Sequence, residues 1–302
     1  MKSKSGALIL TDRVMRGWPL PQPMKGGDKE ERGRVLIVGG APEMPGAAVL
    51  AATAALRAGA GKLRIATCRS IAPFVAIAVP EARVFAVPET RRGGIGLSAA
   101  SEIAKRAGEV NAVLIGPGLV DKGAVDKLMG GLIPRVKGPV VVLDAGALSF
   151  LGRQPESLRG LGGRAILTPH AGEMADLLGV EKEEVERDPP AFAQRAAKLF
   201  RAVVVLKGAE TYTSTPEGAA YLNRSGNVGL ATSGSGDTLS GIIAGLAARG
   251  AEPEQAAAWA TYLHGRAGDR LAKKVGPLGF LARELLVEIP ALMFEIGRAK
   301  KE

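Results

Sequence analysis

Between Arg34 and Gly208 the sequence keeps returning to one unit: a short run of apolar, largely β-branched residues, closed by glycine or a polar group and followed by a helical stretch. The runs are residues 35–40 (VLIVGG), 62–67, 112–116 (AVLIG), 139–143 (PVVVL), 165–167 and 203–208 (VVVLKG). Apolar runs of this length without polar alternation are strands covered on both faces. Residues 46–59, 98–108, 173–178 and 191–200 suit helices, the first closing at Gly59 and Gly61. Residues 210–222, with Tyr212, Thr213 and Tyr221 around Pro216-Glu217-Gly218, predict a β-hairpin. Residues 237–249, 254–274 and 280–298 predict further helices, the last broken at Pro290. Repeated strand–helix units imply an α/β fold, a mostly parallel central sheet with helices on both faces. Right-handed crossovers then gather the strand C-terminal ends along one edge, where ligands of such sheets bind. The residues due at that edge are Gly39-Gly40, Gly116-Pro117-Gly118, Asp144, His170, Lys207-Gly208 and the loop 233–237. Residues 1–33 are polar and interrupted by Pro19, Pro21 and Pro23; they read as an N-terminal arm, with 34–302 as one domain.

Composition removes several classes of function. Cys68 is the single cysteine and His170 and His264 are the two histidines, so neither a disulfide nor a Cys/His metal cluster is expected. Aromatic residues make up 4% of the chain, and no segment joins dense Lys/Arg with aromatics, which argues against nucleic-acid binding. The net charge of +10 fits a solvated basic surface, or a site that attracts phosphates. No uncharged apolar stretch is long enough to span a bilayer, and Ala7–Leu10 is too short for a signal-peptide core, so a cytoplasmic protein is expected.

The segment with the most chemistry is SGSGDTLSG, residues 233–241. Gly234, Gly236 and Gly241 allow left-handed backbone and close approach of a phosphate, and the helix that follows turns its N–H groups and positive dipole end toward that anion. Asp237, beside this anion hole, is placed to take a proton from a hydroxyl undergoing phosphorylation, although Ser and Asp are also ordinary helix caps. Lys207, ending a strand beside Gly208, can reach phosphate oxygens. His170, in TPHAGEM (168–174), can bond a ligand or stand solvated in a loop. Gly116-Pro117-Gly118 is tight enough for a ligand to lie over the backbone, and equally a simple turn. AGAGKL (58–63) is not a Walker A loop, and VGGAPEMPG (38–46) is not a dinucleotide fingerprint. HExxH, GxSxG and CxxC do not occur.

Taken together, GGAPEMPGAAVLAATAALRAGAG (39–61), IGPGL (115–119), LDAGAL (143–148), TPHAGEM (168–174), VLKGAET (205–211), NVGLATSGSGDTLSGIIAGLAARG (227–250), HGRAGDRLA (264–272) and ELLVEIP (284–290) resemble the ADP/ATP-dependent NAD(P)H-hydrate dehydratase family, in a form without an N-terminal epimerase domain. The resemblance implies a ribokinase-like fold and a metabolite-repair reaction. The ring hydroxyl of the S epimer of hydrated NADH or NADPH is phosphorylated from ADP or ATP, and phosphate is then lost. It implies Asp237 as base. It implies nucleotide contacts from Lys207, Gly208, Ala209, Glu210, Thr211, Asn227, Ser233, Gly234, Ser235 and Gly236, and substrate contacts from Ala47, Gly116, Gly118, His170 and Asp237. It further implies a homotetramer and an epimerase supplied as a separate protein. Magnesium is expected from the charge of the diphosphate, with no sequence cluster marking its ligands. The same GSGD segment occurs in small-molecule kinases of that fold, such as those for hydroxyethylthiazole or hydroxymethylpyrimidine, which form the alternative enzyme. A nucleotide-sensing module without turnover is the non-enzymatic alternative.

Overall fold

The computed structural model describes residues 2, 3, 5–23, 26 and 28–298. Ten strands form one sheet: β1 (Leu8–Ile9), β2 (Arg34–Val38), β3 (Lys62–Cys68), β4 (Ala82–Val87), β5 (Ala112–Ile115), β6 (Val140–Leu143), β7 (Ala165–Leu167), β8 (Val203–Leu206), β9 (Thr211–Ser214) and β10 (Ala220–Asn223). Their order is β1-β10-β9-β8-β7-β6-β5-β2-β3-β4, parallel everywhere except at β8–β9 and β9–β10. The sheet is covered on both sides. Successive strand side chains point to opposite faces, yet Leu36 and Ile37, Leu114 and Ile115, Val142 and Leu143, and Val204 and Val205 are all fully buried.

The expected strand–helix alternation is present, and 210–222 is a hairpin. Four differences matter. The helix beginning at the glycine-rich loop is Ser235–Ala248, two residues earlier than its periodicity suggests, because Gly234 caps it. Gly241, inside that helix as expected, serves packing and not a phosphate; a side chain there would begin 2.3 Å from the Ala51 carbonyl oxygen of helix Pro45–Arg57. Pro290 does not break the last helix, which runs Ala282–Gly297. Its ring removes one backbone donor, but Leu285, Leu286, Ile289 and Leu292 are buried on either side of it and hold the helix together. The segment 1–33 contributes β1, parallel to β10, and the helix Asp12–Arg16. Trp259 Nε1 donates to the Trp18 carbonyl at 2.7 Å and Arg249 to that of Pro21 at 2.8 Å, tying the segment to the two helices after the glycine-rich loop. Among the described residues no helix is long and apolar enough to cross a membrane.

Candidate active site

The site lies where the parallel strands end. β5, β6, β7 and β8 stop at Gly116, Asp144, Thr168 and Lys207, and helix Ser235–Ala248 begins beside them. Gly234 has φ +86°, the left-handed turn the loop needs. Gly236 does not: it lies inside the helix, so its value to a ligand is a bare N–H and open space, not special dihedrals. A helix leaves its first N–H groups without intrahelical partners. Here Ser235 bonds back to the Thr232 carbonyl at 3.2 Å, and the N–H groups of Gly236 and Asp237 follow it at the helix start.

Lys207 enters this space from across the sheet. A side chain at Gly236 would begin 3.5 Å from its Nζ. The ammonium lies 3.3 Å from Asp144 Oδ1 and 3.8 Å from Glu173 Oε2. Burial alone would push its proton affinity down, but the carboxylates of Asp144, Glu173 and Asp237 outweigh burial and raise it, so Lys207 is a cation. Asp144 is buried and accepts a 2.6 Å hydrogen bond from Thr168 Oγ1. Asp237 is pushed up to about 7, chiefly by burial and then by the Asp144 charge, against the opposing pull of Lys207. A carboxylate tuned to about neutrality beside a fixed cation suits proton abstraction at physiological pH.

The nucleotide residues expected from sequence converge in part. Lys207, Gly208, Ala209, Thr211, Asn227, Ser235 and Gly236 line one cavity of about 860 Å³. Glu210 is not among its lining residues; it is held by Arg224 at 2.7 Å and by Tyr212, facing a second cavity. Ser233 is exposed and Gly234 forms the turn. The Asn227 side chain is already engaged within the protein: it accepts from Gly229 N at 3.0 Å and donates to the Asp269 carboxylate, which also takes Gly226 N at 3.0 Å.

The residues expected on the substrate side lie on both sides of the glycine-rich loop. Gly118 packs under the first turn of helix Pro45–Arg57; a side chain on it would begin 3.1 Å from the Ala47 Cβ. Leu50 of the same helix touches Gly234, which joins this corner to the anion loop. Gly116 has φ +132°, and a side chain there would begin 1.7 Å from the Asp144 carbonyl oxygen, so close backbone packing already requires glycine at this position. His170 is exposed, but it is not remote from Lys207. It bridges Lys207 as a strand neighbour and caps helix Ala171–Leu178 in a reciprocal pair with Glu173, donating its N–H at 2.8 Å and accepting at Nδ1 from 3.2 Å. It lines the 860 Å³ cavity as well.

Residues 35–291 match the family model described as NAD(P)H-hydrate dehydratase. The chain is 46% identical over 96% of its length to the ADP-dependent (S)-NAD(P)H-hydrate dehydratase of Xanthomonas campestris, covering 97% of that protein. This chain belongs to the NAD(P)H-hydrate dehydratase family. It is 43% identical to the bifunctional NAD(P)H-hydrate repair enzyme of Moorella thermoacetica and spans 52% of that longer protein. The crystal structure of the ADP/ATP-dependent NAD(P)H-hydrate dehydratase of Bacillus subtilis, co-crystallised with ATP/Mg2+, superposes with a TM-score of 0.79 at 30% identity, covering 96% of this chain and 99% of that one. A hydroxyethylthiazole kinase from Pyrococcus horikoshii, with a TM-score of 0.56 at 18% identity, shares the ribokinase-like fold alone.

Sequence reasoning noted Asp144 only as a strand end and passed over Glu173, Asn223, Ser225, His264 and Asp269. His264 meets Ser235, Asp269 meets Gly226 and Asn227, and Asn223 meets Thr261 across 29 to 43 positions of chain, which no local spacing signals. Magnesium has no ready protein cage: among the described residues no group of three or more His, Cys, Asp or Glu side chains is placed to hold a metal. The carboxylates of Asp144 and Glu173 face Lys207, whose ammonium already pairs with them.

Proposed function

We propose that this chain restores NADH or NADPH from the S epimer of its hydrated form, with ADP or ATP as phosphoryl donor. The observation that carries the reading is Asp237, a carboxylate with raised proton affinity at the start of a helix whose N–H groups and facing Lys207 form an anion hole. Asp237 takes the proton of the ring hydroxyl as that oxygen attacks the terminal phosphoryl group. Gly236 and Asp237 N–H groups and the Lys207 ammonium hold the charge that develops on the phosphoryl oxygens. The ring C–O bond then breaks with loss of inorganic phosphate, and a neighbouring ring C–H proton leaves to re-form the double bond. Ala47 and Gly118 contribute to the dinucleotide side, and Lys207 to Thr211 and Asn227 to Gly236 to the nucleotide side, largely through backbone. No step is assigned to magnesium, whose place on this reading is on the nucleotide phosphates. The chain acts as one catalytic domain from Arg34, its first 33 residues serving as an anchoring arm. It works in the cytoplasm as a homotetramer, alongside a separate epimerase.

The deciding assay follows phosphate and absorbance together. Free phosphate with recovered NADH absorbance marks the dehydratase; a phosphorylated product that persists marks a kinase, and nucleotide binding without turnover a sensor. Two further outcomes are expected. The rate at saturating substrates should fall as pH drops below about 7, because protonated Asp237 cannot accept the hydroxyl proton, and should level off above it. A profile flat from pH about 5.5 to 8.5 would remove Asp237 as the titrating base. His170→Ala should raise KM for the hydrated dinucleotide more than for the nucleotide. It should also lower thermal stability by about 1 kcal/mol through loss of the cap on helix Ala171–Leu178. An unchanged dinucleotide KM would leave His170 as a helix cap only.

A further inference from the structure

Behind the anion loop sits a histidine that the mechanism above does not use. His264 lies within the helix Pro253–Lys274, 29 residues beyond Ser235, with its side chain turned toward the loop. Its Nε2 is 3.0 Å from Ser235 Oγ and 3.1 Å from the Ser235 carbonyl oxygen. Ser235, His264, Lys207 and Gly236 all border the same 860 Å³ cavity.

Elementary hydrogen-bond accounting then decides where the protons are. A carbonyl oxygen only accepts, so the ring hydrogen facing it must sit on Nε2. A ring nitrogen that carries a hydrogen has no lone pair to offer the Ser235 hydroxyl. Ser235 Oγ is therefore an acceptor toward His264, and its own hydrogen must point elsewhere. Ser235 is buried, with 6% of its surface exposed, and the open direction beside it is the cavity. The alternative, a doubly protonated ring, is disfavoured: burial pulls the imidazole down to about 4, although the Ser235 carbonyl resists, and the Lys207 charge adds to the fall.

The helix that carries the ring is held in place. Asn223 Nδ2 donates to the Thr261 carbonyl one turn earlier at 3.1 Å, and Trp259 is tied to Trp18 of the N-terminal segment at 2.7 Å. At the next residue, Gly265, a side chain would begin 2.4 Å from the Ser225 carbonyl oxygen, so the helix lies directly on the cavity wall.

We infer that His264 is a positioning residue of the anion hole: held as the Nε2–H tautomer, it occupies both Ser235 oxygens and turns the Ser235 hydroxyl outward as a donor to a nucleotide phosphate. The inference rests on the reading that the nucleotide phosphates occupy this cavity. It adds a side-chain donor to the backbone N–H groups of Gly236 and Asp237, with its direction set from outside the loop.

Binding measurements test this without relying on turnover. ADP is titrated calorimetrically, and adenosine by ligand-observed NMR, into the wild-type chain, His264→Phe, His264→Gln, Ser235→Ala and the double variant His264→Phe/Ser235→Ala. Phe fills the ring's volume without a hydrogen, whereas Gln can return an N–H to the Nε2 position. His264→Phe is expected to weaken ADP about 10- to 100-fold, the range for one hydrogen bond to a charged group, and to leave adenosine within about twofold. His264→Gln should recover most of the ADP affinity. The double variant should bind ADP no more weakly than the worse single variant, since both remove the same donor. In the wild-type chain, 15N spectra of the two histidines should show His264 protonated at Nε2 and bare at Nδ1. That reading stands even where His264→Phe fails to fold. An Nδ1–H tautomer, equal losses for ADP and adenosine, or additive losses in the double variant would each overturn the inference. A wild-type chain that does not bind ADP would overturn the nucleotide reading itself, and this inference with it.

Discussion

Asp237→Asn is expected to stop turnover while leaving nucleotide binding almost intact. The substitution keeps the shape of the side chain and removes its ability to hold a proton. Loss of a general base costs about 10²–10⁴-fold in rate, or roughly 3–5 kcal/mol of barrier. A second consequence has the opposite sign. The folded-state proton affinity of Asp237 is raised to about 7, from an ordinary value of 3.8. The stability this group contributes is therefore complete below about pH 4 and is lost as pH rises through about 7, because the folded chain must bear a buried charge. Asn bears none, so the variant should melt at least as high as the wild-type chain at pH 8 while being inactive. Melting curves and phosphate-release rates at pH 6 and pH 8 check both statements. A variant that keeps more than about a tenth of the wild-type rate would show that Asp237 is not the base.

Gly236→Val, which keeps its N–H but fills the space before it, should slow phosphoryl transfer about as much as losing one preorganised donor, about 10²–10³-fold, and leave the fold in place. Gly236 has ordinary helical backbone, so valine meets no dihedral penalty there beyond its weak helix preference. What it meets is Lys207. Its Cβ begins 3.5 Å from the ammonium, and its methyl groups extend into the space between that cation and the helix start. The phosphoryl group on this reading needs that space. ADP should accordingly protect the variant less against thermal unfolding, with the melting temperature of the unliganded chain within a few degrees of wild type. Gly234→Val makes the contrast. It imposes a left-handed φ of +86° on a branched residue and starts a side chain 2.5 Å from Leu50 Cδ1, so activity and stability should fall together. Normal phosphate release by Gly236→Val would move the phosphate away from this helix start.

The strand ends and the anion loop were readable in the sequence because they depend on local chemistry. Four consecutive apolar residues before Lys207 read as a strand covered on both faces, and glycines around Asp237 before a small-residue stretch read as the start of a helix. Sequence pattern misjudged what depends on neighbours. Pro290 reads as a break, but buried leucines on both sides of it carry the helix through. At Gly116 and Gly241 the fold also uses the missing side chain to let backbones touch, a demand that no local pattern announces. The polar stretch before Arg34 reads as an arm, yet two of its residues, Leu8 and Ile9, pair with β10.

By itself, then, the sequence determined most of the strand–helix alternation, though not the strands Leu8–Ile9 and Ala82–Val87, together with the edge on which chemistry collects and the residue types available there, since each follows from periodicity and from the dihedral limits of glycine and proline. Only the tertiary structure decided what those residues are chemically. Asp144 meets Lys207 across 63 positions of chain, and His264 meets Ser235 across 29. Asp237 acquires a proton affinity near neutrality because the folded chain removes it from water and sets another carboxylate close by. Desolvation and Coulomb interaction depend on distance in space, which a linear pattern does not contain; the protonation states of Asp237, Lys207 and His264 exist only once the sheet has brought its ends together.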